Sequence, residues 1–355
     1  MPSASTALRA TETFDIAEVQ PSPRDLKIMA RRLAVHCAVY RGAIPTIAFW
    51  QLGSTLALFT VVIGLMFLTV QNYYWLTLPL SVPAGGLLVR LFIIQHDCGH
   101  GSFLKGRLAN DVVGRIVSVL TVTPYEVWRR EHAKHHATSG NLEERGIGDI
   151  DTLTVREYEQ LSPWRKRWYR LYRNPLFLFG FAVPFYFIVL QRVPIDHPLP
   201  RHQAWASVMS LNGAMVALYA VLAYFVGFWN LLFVAVPVVH IASAIGGWLF
   251  FVQHQFDEAH WNRPPDWDQQ VAALFGSSYY KLPAVLNWFT GNIGLHHIHH
   301  LNSMIPNYRL MACLRNSPDL QGLNQLTLWE SFKCVRYKLW CEDRRMLVGF
   351  DGVAA

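Results

Sequence analysis

The chain has 355 residues, of which 52% are hydrophobic and only 15% are charged. This composition is unusual for a soluble protein and typical of one embedded in a membrane. The net charge of +7 comes without a basic cluster interleaved with stacking aromatic residues, so the sequence does not indicate a nucleic-acid-binding protein. Residues 1–20 lack a hydrophobic core and are predicted to be disordered, whereas residues 21–355 are predicted to form one membrane domain.

Four apolar runs are long enough to cross about 30 Å of hydrocarbon, which takes roughly 20 helical residues. They comprise residues 46–70, 75–94, 207–228 and 231–252. The connections 71–74 and 229–230 are short and uncharged, so the runs are predicted to form two transmembrane hairpins. A fifth run, 176–190, is shorter and contains Pro184, and we interpret it as an interfacial or re-entrant helix.

The basic residues predict the orientation of these hairpins. All 31 Lys and Arg residues except Arg90, Arg192 and Arg201 lie before residue 46, in 95–173 or after 252. Positive charge marks the cytoplasmic side, so both hairpin tips are predicted to face away from the cytoplasm. The predicted fold is therefore all-α and multi-pass, with four transmembrane helices, one interfacial helix and a cytoplasmic helical cap built from residues 95–173 and 253–355.

Nine of the fifteen histidines lie in three short boxes, all on the predicted cytoplasmic side. The boxes are residues 96–100 (HDCGH), 132–136 (HAKHH) and 296–300 (HHIHH). On a helix, residues three and four apart share a face, so each box directs several imidazoles the same way. So many imidazoles without cysteine suit two metal ions, and imidazole binds iron, copper and zinc alike. The spacing alone leaves the metal open, although iron could activate dioxygen beside a hydrocarbon chain in the bilayer.

The boxes and their flanks resemble those of the membrane fatty acid desaturases. The resemblance covers roughly residues 46–308, including both hairpins, and is closest to bacterial acyl desaturases without a fused cytochrome domain. It implies a four-span protein of a bacterial cytoplasmic membrane with a histidine-held, non-haem di-iron centre. The implied reaction removes two hydrogens from an unactivated acyl chain with O₂ and two electrons.

The resemblance also implies which histidines bind the metal ions. Eight positions match the family's boxes: His96, His100, His132, His135, His136, His296, His299 and His300. His297 lies outside the pattern. The family places a further histidine between the fourth span and the last box, for which we prefer His254 over His260 because His254 directly continues the fourth span.

Carboxylates often accept the free N–H of a metal-binding histidine. Asp97, Glu131, Asp257 and Glu258 are candidates for this role, and the alternative is that they are solvated or paired with arginine. Asn292 lies one helical turn before His296 and on the same face, and related enzymes place an asparagine near one iron. The alternative for Asn292 is a helix cap beside Gly291. Asp149 and Asp151 lie in a turn-rich stretch near the second box, and the sequence suggests no chemical role for them.

Three readings of function compete. An acyl desaturase is favoured over a hydroxylase or ketolase on the same scaffold by the flanks of the third box. A metal transporter is disfavoured, because the four spans contain only Arg90 and His240 as candidate polar relays. By resemblance we expect insertion at Δ12, with Δ9 as the alternative, in an acyl chain carried by a lipid, coenzyme A or a carrier protein.

The chain shows no cytochrome b5 signature and no dinucleotide-binding fingerprint, so a separate electron donor is expected. We expect a ferredoxin or a cytochrome b5 with its reductase. The basic residues Arg129, Arg130 and 165–167 could dock such a donor electrostatically, or could instead contact lipid headgroups.

Overall fold

A computed structural model of the chain describes residues 22–146, 148–195 and 198–353, so the predicted disordered segment 1–20 lies outside the described residues. Five helical segments in the described part are long and apolar enough to cross a membrane. They are α2 (Pro45–Thr69), α3 (Tyr74–His100), the segment Pro175–Arg192, α10 (Arg201–Val226) and α11 (Phe228–His254). Each of the four predicted spans corresponds to one of these helices.

The remaining described helices are short. They are α1 (Pro23–Ala38), α4 (Arg107–Thr121), α5 (Tyr125–Thr138), α6 (Val155–Glu159), α7 (Pro163–Tyr172), α12 (Gln269–Phe275), α13 (Ala284–Phe289), α14 (His296–Leu301), α15 (Asn307–Arg315), α16 (Pro318–Gly322) and α17 (Leu328–Ser331). The segment Pro175–Arg192 consists of α8 (Pro175–Phe177), a π-helical turn (Leu178–Ala182), α9 (Val183–Ile188) and a 3₁₀ turn (Leu190–Arg192).

The predicted class needs one correction, because four short strands accompany the helices. β1 (Tyr279–Lys281) pairs in parallel with β2 (Gln325–Thr327), and β3 (Leu339–Cys341) pairs antiparallel with β4 (Met346–Val348). Strands of three residues are too short to leave a recognisable period-two pattern, which is why the sequence did not reveal them. The protein is mostly helical, and "all-α" is accurate only for its apolar part.

Helix α3 lies at the centre of the apolar helices and packs against α2, α4 and α11. Close packing with α11 depends on Gly85, because a Cβ atom there would lie 2.7 Å from the Cγ2 atom of Ile241. The helix runs six residues beyond the predicted end of its span and stops at Gly101, which has a φ of +77°. Since only glycine adopts this conformation without strain, Gly101 ends the helix directly after the first histidine box.

The second pair of apolar helices turns earlier than predicted. The sequence placed the connection at Trp229 and Asn230, but both residues lie in the first turn of α11. The turn is made by Gly227 alone, with a φ of +86°. A single residue in the left-handed region therefore separates α10 from α11.

The cap packs on the C-terminal end of α11. Trp340 and Tyr280 are fully buried, and they belong to the same hydrophobic cluster as Phe251 and Val252 of α11. Because α11 ends at His254, this contact fixes where the last residue of the helix lies relative to the cap.

Candidate metal centre

The first histidine box occupies the last turn of α3. His96 and His100 are four residues apart, so their rings project from one side of the helix, with centroids 4.7 Å apart. The second box lies in the last two turns of α5, where His132 and His136 share a face and His135 points to a different side. The third box forms the first five residues of α14, a helix of only six residues.

The nine candidate histidines assemble into two groups. The five-histidine group contains His96, His100, His132, His136 and His299, and the four-histidine group contains His135, His254, His296 and His300. Within each group, one ring nitrogen from every histidine lies within 4.8 Å of all the others. Boxes two and three contribute to both groups, so adjacent residues such as His135 and His136 belong to different groups.

The spacing of the ring nitrogens fits a metal ion. The Nε2 atom of His136 lies 3.1 Å from Nε2 of His132 and 3.0 Å from Nε2 of His299. The Nε2 atoms of His296 and His254 are 3.0 Å apart. Two nitrogens that bind one ion at about 2.1 Å and at a right angle are separated by about 3 Å.

The tautomers of His135 and His254 give an independent test of that fit. The Nδ1–H of His135 donates to Oδ1 of Asp149 at 2.5 Å, and the Nδ1–H of His254 donates to the Gly276 carbonyl at 3.3 Å. When these imidazoles are neutral, both Nε2 atoms therefore carry lone pairs, and these face each other at 3.1 Å. Two lone pairs at this distance repel unless a cation lies beside both.

Burial favours the neutral imidazoles that metals bind. It lowers the pKa well below the ordinary histidine value, and repulsion between neighbouring rings lowers it further, for His132, His136, His296, His299 and His300. In addition, the buried Nε2 atoms of His96 and His100 have no hydrogen-bond partner among the described residues. Each therefore presents a lone pair or proton that only a ligand outside the chain can satisfy.

Two histidines that the sequence offered as possible ligands, His260 and His297, lie outside both groups. The Nε2 atom of His260 is 2.8 Å from the Nδ2 atom of Asn262, whereas His254 belongs to the four-histidine group and its Nε2 atom contacts His135 and His296. His297 is fully buried, and its Nε2 atom is 3.1 Å from the Leu320 carbonyl. It lies about 100° around α14 from His296, so its ring is directed at Leu320 and belongs to neither group.

The candidate asparagine is not placed as expected. Helix α14 begins at His296, and Asn292 precedes it in a turn with a φ of +59°. Its Nδ2 atom donates to the Asn307 carbonyl at 3.4 Å. The expectation that Asn292 shares a helical face with His296 is therefore wrong, because the left-handed residues Gly291 and Asn292 interrupt the helix that the sequence suggested.

The carboxylates divide into those that reach the histidines and those that do not. Asp97 accepts from Nδ1 of His96 at 3.0 Å, and its second oxygen accepts two hydrogen bonds from Asn307. Asp257 and Glu258 are exposed in the turn after α11, and neither contacts a histidine among the described residues. They are close to His254 in sequence but do not contact it, because α11 ends at His254 and the chain then turns away from the histidine groups.

Glu131 has a different environment. Burial raises the pKa of Glu131 to about 7, and a hydrogen bond with Tyr186 partly opposes this shift. Its partner belongs to the segment Pro175–Arg192, so this carboxyl group links α5 to the apolar helices and does not contact the metal groups among the described residues.

The sequence suggested no role for three further residues at the site. Asp149 contacts His135, Trp128 stacks on His132 with ring centroids 4.7 Å apart, and Phe250 packs against His135 and His254 at 5.1 and 5.3 Å. Trp128 precedes its histidine by four residues, as Phe250 precedes His254, so helical spacing could have suggested both. Asp149 has no such signal, since a loop brings it to α5.

Comparison with known proteins agrees with this geometry. The sequence model of the fatty acid desaturase family matches residues 73–332. The chain is 40% identical over 289 residues to a "Fatty acid desaturase" of Bacillus subtilis, which covers 81% of this chain and 82% of that protein. It is 30% identical over 317 residues to the "sn-1 acyl-lipid omega-3 desaturase (ferredoxin)" of Synechocystis sp., covering 82% and 84%.

A third relative is the "sn-1 oleoyl-lipid 12-desaturase" of Anabaena variabilis, 28% identical over 280 residues, which covers 72% of this chain and 73% of that protein. The family match spans the three boxes and the apolar helices between them. The histidine groups are able to hold metal, and in this family that supports iron binding. The chain is a membrane protein and an oxidoreductase that belongs to the fatty acid desaturase family.

Proposed function

We propose that this protein is an oxygen-dependent acyl desaturase that inserts a double bond into a membrane-resident acyl chain at a histidine-held di-iron centre. The observation that carries the proposal is the pair of histidine groups at the ends of two apolar helices, α3 and α11. Two iron ions held there would activate O₂, which with two electrons from a donor and two protons would take two hydrogens from adjacent methylenes and leave as two water molecules.

The chain's own residues have three tasks in this proposal. The nine histidines of the two groups hold the metal ions through lone pairs that burial keeps unprotonated. Asp97 orients His96 by accepting its Nδ1–H. The aromatic rings of Trp128 and Phe250 cover the outer faces of His132 and of His135 and His254, which limits access of water to the site.

We propose that α2, α3, α10 and α11 cross the membrane and that the segment Pro175–Arg192 does not. Phe179, near the start of this segment, packs against Phe251 at the C-terminal end of α11, with ring centroids 5.4 Å apart. Arg192, at its other end, donates to the carbonyl of Val122, between α4 and α5. Since both ends contact residues close to the histidine boxes, an interfacial or re-entrant course explains the segment better than a crossing does. All three boxes then lie on one side, which the basic residues make cytoplasmic.

For the substrate, we propose an acyl chain of a membrane lipid and insertion at Δ12. Support comes from the names of two relatives, one an sn-1 acyl-lipid omega-3 desaturase and the other an sn-1 oleoyl-lipid 12-desaturase. Both names describe lipid-linked chains, and the second describes the position that the resemblance of the boxes suggested. The bacterial and cyanobacterial relatives also support a bacterial cytoplasmic membrane as the location.

For the electron donor, we propose a ferredoxin, because the Synechocystis relative carries that donor in its name. The cationic stretch 165–167 on α7 suits lipid headgroups better than a donor. Trp164 and Trp168 on this helix are 73% and 56% exposed, and Trp168 contacts Phe177 of the apolar segment Pro175–Arg192. Tryptophan and arginine together, next to a membrane-facing helix, are typical of the bilayer interface.

The test is production of the full chain in a bacterial host that makes only saturated and Δ9-monounsaturated fatty acids, together with a ferredoxin and its reductase. Gas chromatography and mass spectrometry of the lipid fatty acids should show a diunsaturated product with its second bond at Δ12. The matched control is His135→Ala, which should give no product. A hydroxylated or oxidised chain instead of a new double bond would favour the hydroxylase or ketolase alternative and contradict the proposal.

A further inference from the structure

The loop after α5 folds back so that Asp149 meets the helix it has just left. Two glycines shape this return, Gly146 with a φ of +98° and Gly148 with a φ of +70°. Both values lie in the region that glycine adopts without strain. At Gly148 the loop packs on α5 so closely that a Cβ atom would lie 3.4 Å from the Glu131 carbonyl oxygen and 3.6 Å from Cβ of His135. Gly148 therefore lets the backbone beside Asp149 lie against α5.

The contact fixes the chemical state of one histidine. Oδ1 of Asp149 is 2.5 Å from Nδ1 of His135, and an ionised carboxylate can only accept, so Nδ1 carries the proton. Nε2 is then the atom with the lone pair, and it points at Nε2 of His254 and of His300, at 3.1 and 3.2 Å. Without this acceptor, the imidazole of His135 could carry its proton on either nitrogen, and its ring could rotate about the Cβ–Cγ bond.

The contact also has a counterpart in the other group. His96 of the five-histidine group donates Nδ1–H to Asp97, as His135 of the four-histidine group donates to Asp149. Among the described residues, these two aspartates are the carboxylates that contact the nine grouped histidines. Each group therefore consists of neutral imidazoles with one negative charge directly behind one of them, which offsets part of the charge of a bound divalent ion.

We propose that Asp149 is a positioning residue of the four-histidine group, which selects the tautomer of His135 and directs its Nε2 lone pair at the metal position. The inference rests on the proposed function in one respect, that the group holds a metal ion. The inference concerns how the protein retains its metal and not the reaction. Measurements of bound iron alone therefore test it.

Asp151 provides a matched control in the same loop. It lies two residues after Asp149, and its backbone N–H donates to the Tyr172 hydroxyl at 3.2 Å. Its carboxylate contacts no histidine among the described residues. Replacement of either aspartate by asparagine removes one negative charge from the same stretch of chain, but only the change at Asp149 alters the acceptor of His135.

The experiment compares full-length protein, purified in detergent from iron-replete cells, with the variants Asp149→Ala, Asp149→Asn, Asp151→Asn and His135→Ala. Iron per chain is measured by mass spectrometry, and the rate of iron release is measured with a ferrous-iron chelator. Mössbauer spectra of ⁵⁷Fe-loaded samples show which of the two ions is affected. Gel filtration verifies that every variant elutes as the parent does.

We expect Asp149→Ala to lose the same iron that His135→Ala loses, and therefore to hold about half the iron of the parent. Asp149→Asn keeps an acceptor but not the charge, so it should retain both ions and release one of them about 10- to 100-fold faster. Asp151→Asn should match the parent in content, release rate and spectrum.

Two outcomes would overturn the inference. One is an Asp149→Ala protein that holds as much iron as the parent, with the parent's release rate and spectrum. The other is a parent protein without iron in the four-histidine group after reconstitution. A parent that holds two ions but forms no unsaturated product would contradict the proposed function and leave the role of Asp149 supported by its iron measurements.

Discussion

The Nε2 atoms of His135 and His254 face each other at 3.1 Å although the two residues are 119 positions apart in the chain. One lies on the cap helix α5 and the other is the last residue of the apolar helix α11. Both rings donate their Nδ1–H elsewhere, so the lone pairs converge on one point. The contact joins the cap to the membrane helices only if a cation is present to bind both.

The two histidine groups predict two iron ions per chain. Metal analysis of freshly purified protein from iron-replete cells should give close to two equivalents, because nine imidazoles in two separate groups exceed what one ion needs. Since overproduction can load zinc instead, product formation after iron reconstitution is measured on the same samples. One equivalent of iron in fully active protein would be inconsistent with this arrangement.

His254→Ala should lose iron and activity, whereas His260→Ala should retain both. His254 is buried in the four-histidine group, while His260 contacts Asn262 outside it. The pair is well matched, because both are histidines close to the end of α11 and only one is grouped. Iron content and fatty acid product are measured for each variant. If His260→Ala lost an iron and His254→Ala did not, His260 and not His254 would be the ligand that joins the eight box histidines.

Gly99→Ala should lower product formation by disturbing the stack of Trp128 on His132. A Cβ atom at Gly99 would lie 2.9 Å from the Cζ3 atom of Trp128, so the indole ring must move. Overpacking of this kind costs about 1–3 kcal/mol of stability. The variant is compared with the parent by thermal unfolding, iron content and product yield.

The control for that substitution is Gly64→Ala in α2, where an added Cβ atom meets no atom within 4 Å. Replacement of glycine by alanine inside a helix normally stabilises it by up to about 1 kcal/mol. Product yield should therefore stay at the parental level. Equal losses in both variants would show that the effect at Gly99 has nothing to do with Trp128.

The iron-free protein should become less stable as the pH falls from 7.5 to 5.5. Burial holds the pKa of His132, His136, His296, His299 and His300 well below the ordinary value near 6.5. Below pH 6.5 the unfolded chain therefore binds protons that the folded chain does not, which favours unfolding by on the order of 1 kcal/mol per histidine and pH unit.

Glu131 acts in the opposite direction. Its pKa is raised to about 7, so the folded chain binds its proton first as the pH falls, which is stabilising. One carboxyl group opposes five histidines, so the net change remains a loss. The midpoint of thermal unfolding of iron-free protein, measured in detergent at pH 7.5, 6.5 and 5.5, should fall at each step. A midpoint that rose on acidification would mean that the histidines are not buried.

Helical spacing explains why much of the site could be predicted. The histidines of each box are three or four residues apart, and the apolar runs are long, so their periodic patterns are local properties of the chain. The position of Asp149 depends on a loop with two left-handed glycines, and the pairing of His135 with His254 depends on how the cap docks on α11. Neither relation has a local signature.

The errors have a similar origin. Asn292 was expected on the helix of the third box. Positive φ angles at Gly291 and Asn292 instead change the direction of the chain before that helix starts. Asp257 was expected near His254 from sequence distance alone, yet the end of α11 turns it towards solvent. In both cases a chain reversal of a few residues separated neighbours in sequence.

Helices α5 and α14 each carry histidines of both groups. His135 and His300 belong to the four-histidine group, whereas their neighbours His136 and His299 belong to the five-histidine group. An ion bound by one group therefore restrains both helices before the second ion arrives. The histidines of the second group then lose less conformational entropy when they bind their ion. Binding of the first ion therefore favours binding of the second, so loading is cooperative. A chain that has lost one ion should accordingly hold the other less tightly, so a variant that keeps only one ion should release that ion faster than the fully loaded parent does.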